Sequence, residues 1–152
     1  SPATITGLTP GKTYIFYIQN YVSSSDKANS NSVTAATNEA IGYFAWTNDD
    51  ATNIQSGQPV TNLTASAWQN LIAKVAACGG STGSIPTASS GTKITANHFN
   101  QMRNAISGLT GAGSVASSVT SGTSKVLASL FANATTALKE AINRAISAKN
   151  NQ

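Results

Sequence analysis

The sequence predicts an α+β chain arranged by segment: β structure over residues 1–37, a connector over 38–62, and a small all-α region of three helices over 63–152. Three observations carry this reading. The apolar pattern alternates with period two through Tyr14, Phe16 and Ile18, then takes a helical period after Leu63. Pro10-Gly11 is strong turn punctuation, because Pro presets φ and Gly accepts a positive one. Residues 63–78 and 94–109 also match each other at an offset of 31 residues.

Thr4-Ile5-Thr6 is a short β-branched run ended by Gly7-Leu8-Thr9-Pro10-Gly11. Residues 13–22 form a strongly β-prone strand, with Tyr14, Phe16 and Ile18 on one face and Ile15, Tyr17 and Gln19 on the other. Ser23 to Asn31 reads as a polar loop, and 32–37 as a weaker strand. In the connector, Ile41 to Thr47 is an aromatic cluster expected to pack under the helices; if exposed, it would stack on sugars or bases.

The first helix places Trp68, Leu71, Ile72 and Val75 on one face, with Thr64 as N-cap and Gly79-Gly80 as stop. The second repeats it: Ile94 for Leu63, Thr95 for Thr64, Phe99 for Trp68, Met102 for Leu71 and Ile106 for Val75. The Ser/Gly/Thr tracts at 79–92 and 107–124 read as flexible connectors. A third helix is expected over 124–149, with Leu127, Phe131, Ala134, Leu138, Ile142 and Ala145 as its stripe. At 1.5 Å per residue it would run roughly 40 Å, more than two short helices cover, which points to packing against another chain.

The pattern Leu8-x-Pro10-Gly11-x-x-Tyr14-x-Phe16-x-Ile18, then Ser30-x-Ser32-Val33-x-Ala35-x-Thr37, resembles the last three strands of a fibronectin type III domain. The resemblance covers about the first quarter of the chain and implies half of a β-sandwich. It also implies that the Tyr14 hydroxyl bonds the backbone a few residues upstream. Asn20 departs from the family's preference for a small residue there. The other half of the sandwich is expected before Ser1 in a longer polypeptide, or from a partner chain that covers the apolar face.

Only 9% of the residues are charged, against about a quarter in ordinary soluble domains. Ser, Thr and Asn, 54 in all, supply the polarity instead, as on adhesins and virion proteins. Residues 1–60 carry −2 (two cations, four acids) and residues 61–152 carry +6 (seven cations, one acid). The cations are spaced and form no run, which argues against nucleic acid as a partner. No stretch approaches the roughly 20 apolar residues of a membrane span. Ser1-Pro2-Ala3 has neither the basic nor the apolar part of a signal peptide.

Candidate chemistry is sparse, and no catalytic, cofactor or metal residue is assigned. His98 is the single histidine and reads as a solvent-facing helix residue, not a catalytic base. Cys78, the single cysteine, excludes an internal disulfide and reads as a small buried hydrophobe. Asp49 and Asp50 lack the ligand spacing of a calcium loop. The sequons at Asn62 and Asn133 read as chance matches.

Phe44-x-Trp46-Thr47, followed by Leu63-Thr64-Ala65-x-x-Trp68-x-x-Leu71, resembles stretches of tailed-bacteriophage structural proteins. That implies a non-enzymatic virion protein: a tail, baseplate or fibre component docking through its helical region. Its expected partners are further copies of itself or other virion proteins, with a host surface glycan as a further candidate. Trp46, Trp68, Leu71, Phe99, Met102, Leu127, Phe131, Leu138 and Ile142 are the expected packing and assembly residues. The alternative is a glycan-binding accessory module, secreted or at the bacterial cell surface. Burial of Trp46, Trp68 and Phe99 supports assembly, whereas coplanar exposed rings support sugar binding.

Overall fold

The computed structural model describes residues 4–21, 27–46, 63–122 and 127–152. Asp49, Asp50 and Asn62 lie outside them, as do Val22 and the expected start of the third helix. The chain is of mixed α+β class and divides into a β unit, 1–40, and a helical unit, 41–152.

In the β unit, Gly11 turns the chain at a φ of 68°, and its N–H reaches Asn38 O at 2.8 Å. Strand β1 (Thr13–Phe16) then pairs antiparallel with β4 (Val33–Ala36), placing Tyr14 opposite Ala35 and Phe16 opposite Val33. The Thr9 N–H donates to the Tyr14 hydroxyl oxygen at 2.8 Å. Thr37 ties the same turn, its hydroxyl 2.7 Å from Thr9 O.

Residues 13–22 do not form the single strand expected. A second pair, β2 (Gln19–Tyr21) with β3 (Lys27–Asn29), continues the ladder one residue out of register, since Thr13 pairs with Ala36 but Gln19 with Asn29. Three residues, 30–32, face two, 17–18, which is a β-bulge. Ser30 fills it: its hydroxyl accepts from Ile18 N–H at 2.9 Å and its own N–H reaches Ile18 O at 2.8 Å. The alternation of burial ends here: Tyr14 and Phe16 are half-buried, whereas Ile18 stands 77% exposed. Lys27–Asn29, expected as loop, is strand, while Thr4–Thr6 is not.

The helical unit contains α1 (Ala65–Ala77), α2 (Ala96–Ser107), α3 (Ala128–Phe131) and α4 (Leu138–Asn150). Thr64 and Thr95 both cap with their hydroxyls, accepting from Ala67 N–H and His98 N–H. Trp68 and Phe99 are both fully buried.

The long C-terminal helix is the main correction. It breaks between Phe131 and Leu138, where Asn133 adopts a φ of 66°. Asn enters the left-handed region more readily than most residues. Two carbonyls that a continuous helix would use internally are taken by tertiary donors. Ala116 N–H reaches Thr136 O, and Arg144 Nη1 reaches Thr135 O, both at 2.6 Å. The break shortens α4 to 13 residues, the length of α1, and buries Leu138, Ala141, Ile142, Ala145 and Ile146 within the unit. The stripe offered for another chain is spent in this one.

The Ser/Gly/Thr tracts are not loose connectors either. Ile85, Ala88, Ala112, Ala116 and Val119 are buried in the core, and helix side chains hold the carbonyls around them. The 31-residue phase continues through these loops: Gln69 Nε2 donates to Ala88 O, and Asn100 Nδ2 to Val119 O. The repeating unit is therefore a capped helix plus the loop that folds back along it. Gly80 and Gly111 occupy equal phases, and each would crowd a packed side chain if it carried a Cβ.

Candidate interaction site

Eight of the nine expected packing residues converge in one core. Trp46, Trp68, Leu71, Phe99, Met102, Phe131, Leu138 and Ile142 are all buried there. Leu127 is half-buried and outside it, at the N-cap position of α3. Edge-to-face contacts link Phe44 to Trp46, Trp46 to Phe131 and Phe131 to Phe99, with ring centroids 4.7, 5.8 and 5.4 Å apart. Both indole N–H groups are satisfied, Trp46 by Phe131 O at 3.2 Å and Trp68 by Pro86 O at 2.9 Å. These aromatics form a core and offer no face to a sugar.

The connector aromatics reach that core along α4 by means that apolar periodicity does not register. Asn143 Nδ2 donates to Phe44 O at 2.9 Å, and its Oδ1 accepts from Phe44 N–H at 2.7 Å. Asn150 does the same for Ile41, at 3.0 and 2.8 Å. Seven helical residues rise about 10.5 Å, which is close to the span of three extended residues, about 10 Å. The two amides therefore clasp an extended segment, residues 41–44, running antiparallel to α4. Phe44 and Trp46 point inward, while Tyr43 is exposed. The clasp satisfies backbone groups that burial would otherwise leave without water.

The same chemistry recurs on α2, where Asn100 holds both the N–H and the carbonyl of Val119, at 2.9 and 2.8 Å. Arg103 Nε reaches Ala116 O, while Arg144 Nε and Nη2 reach Ala112 O and Ser114 O. None of these polar residues stood out in the sequence. The available signal was Gln69 and Asn100 at equal phase, each directly after its aromatic anchor, and Asn143 and Asn150 seven apart on a half-buried face.

His98 has a structural part. Its Nδ1 accepts from Thr95 N–H at 3.3 Å, completing a capping box with Thr95, and its ring stands 6.0 Å from that of Trp68. Burial pushes the Cys78 thiol above its ordinary range, against the opposing pull of Lys149 and Lys74. Among the described residues, no group of His, Cys, Asp and Glu is placed to hold a metal ion, and no helix is long and apolar enough to cross a membrane.

The β unit has the opposite character. Ile5, Ile15, Tyr17, Ile18 and Val33 are exposed large hydrophobics, with Ile15 at 66% and Val33 at 65%. No family model, curated protein or solved structure matches the sequence.

Proposed function

We propose that the chain is a non-enzymatic structural module of a virion, belonging to a tail, baseplate or fibre, and that its β unit is the assembling part. The observation that carries this is the distribution of apolar surface. Of the six exposed large hydrophobics among the described residues, five lie in the β unit: Ile5, Ile15, Tyr17, Ile18 and Val33. The strand register puts Val33 on the face of Phe16 and Ile15 on the other, so both faces of the pair carry exposed apolar side chains that further β structure could cover. Among the described residues the helical unit exposes Tyr43 alone of its large hydrophobics, and it serves as a folded spacer. A fibronectin type III-like role for the β unit is supported by the Tyr14–Thr9 hydrogen bond at the Pro10-Gly11 turn and by the antiparallel β1–β4 pair. Further β structure would cover the open face.

Gold-labelled antibody against the chain tests this on purified phage particles, with label expected on the tail, baseplate or fibre. Antigen found only in culture medium or on the bacterial surface would refute it. The glycan-binding alternative has lost Trp46, Trp68 and Phe99 to the core. It would need glycan-array binding that disappears with Tyr17→Ala or Tyr43→Ala.

A further inference from the structure

We propose that His98 makes the start of α2 sensitive to acid: when its imidazole takes a second proton, the capping box with Thr95 opens and the first turn of α2 loosens. The geometry fixes the charge state that the box needs. Thr95 N–H donates to His98 Nδ1 at 3.3 Å. A backbone N–H can only donate, so Nδ1 carries no hydrogen and the ring is neutral. The Thr95 hydroxyl lies 2.8 Å from the same nitrogen and accepts from His98 N–H at 3.4 Å. In the imidazolium both ring nitrogens are donors. The hydroxyl can turn to accept from Nδ1, but the Thr95 N–H is left facing another donor. Glutamate or glutamine usually takes this place in a capping box, and either keeps its acceptor near neutral pH. Histidine gives its acceptor up, because its charge changes between pH 5 and 8.

The surrounding charges do not offset this. A cation in the first turn opposes the helix dipole. Glu140, the acid of the helical unit among the described residues, pairs with Lys139 on α4, and Lys93 stands two residues before the cap. On α1 the facing group is the Trp68 ring, with centroids 6.0 Å apart. An indole face attracts a cation, yet it cannot return the acceptor that Thr95 N–H loses.

What rests on this turn is larger than the cap. Phe99 and Asn100 follow His98 directly, one anchoring the core and the other clasping Val119. The first repeat supplies an internal reference. Trp68 N–H bonds Thr64 O and Phe99 N–H bonds Thr95 O, both at 3.1 Å. Ala67 stands where α2 has His98, so α1 has the hydroxyl cap without the titrating ring. His98 is also the single histidine, so a response across the histidine range is its own. The proposal stands whether or not the chain belongs to a virion.

Hydrogen exchange by nuclear magnetic resonance tests it on the full chain, between about pH 7.5 and 5.5, which lies within the histidine range. On acidification the protection factor of the Phe99 amide is expected to fall about threefold or more, while that of Trp68 holds. The melting temperature of the helical unit should fall by roughly 2–6 °C. His98→Gln keeps the box without the titrating ring and should abolish both changes. If that variant does not fold, His98→Ala, which copies the first repeat, should show a weaker start at both pH values with no change between them. Equal loss of protection at Phe99 and Trp68 overturns the proposal, as does a fall that persists in either variant. A melting temperature that rises on acidification also overturns it, since the Trp68 ring would then hold the imidazolium more strongly than the box resists it.

Discussion

Gly111→Ala should destabilise the helical unit through one identifiable neighbour. Gly111 sits at a φ of 80°, and a Cβ built there falls inside van der Waals contact with Ala148 Cβ, with Arg144 O 3.5 Å away. Two costs combine. The left-handed backbone charges an alanine about 1–2 kcal/mol, and forcing a methyl group against a packed helix costs about 1–3 kcal/mol. Ala148 lies in the last turns of α4, where the chain can shift a little, so a total near 3 kcal/mol is expected.

The clash part disappears if Ala148 becomes Gly, which by itself costs about 1 kcal/mol in a helix. A double-mutant cycle should therefore give a coupling of roughly 1–3 kcal/mol, the methyl–methyl overlap alone. Urea unfolding followed by far-ultraviolet circular dichroism reads the helical unit directly. A loss below about 0.5 kcal/mol for Gly111→Ala, or a loss unchanged in the Ala148→Gly background, would refute the close approach of this loop to α4.

Trp68→Ala and Phe99→Ala should each cost about 3–5 kcal/mol in the same assay, because both rings are fully buried at equal phases of the repeat; a small loss at either would break their equivalence. Leu138→Glu with Ile142→Glu should unfold the helical unit, since both side chains are buried within it; retained helicity with lost self-association would return the α4 stripe to an intermolecular role. Alkylation of Cys78 by iodoacetamide should reach half its maximal rate at a higher pH in the folded chain than in urea, because burial disfavours the thiolate. With the folded pKa above the unfolded one, the stability this thiol contributes is whole below the ordinary thiol range and lost as pH rises through the folded pKa. Coincident profiles would show that Cys78 is not shielded.

Much of the helical unit was legible because its signals are local. Thr64 and Thr95 announce helix starts by a hydroxyl that caps an N–H three residues on, and Trp68 and Phe99 recur at a fixed phase on an amphipathic face. The Pro10-Gly11 turn and the alternation of Tyr14 and Phe16 are local in the same way. What only the tertiary structure decided depends on partners far along the chain. The break at Asn133 exists because Ala116 and Arg144 take the carbonyls of Thr136 and Thr135. The Ser/Gly/Thr tracts became ordered because Gln69, Asn100, Arg103 and Arg144 hold their backbones. Ile41–Trp46 found its place through Asn143 and Asn150, 99 and 109 residues away. An amide that reads a backbone is indifferent to the side chain it holds, so neither composition nor periodicity of the held segment records the match; only folding brings the two together.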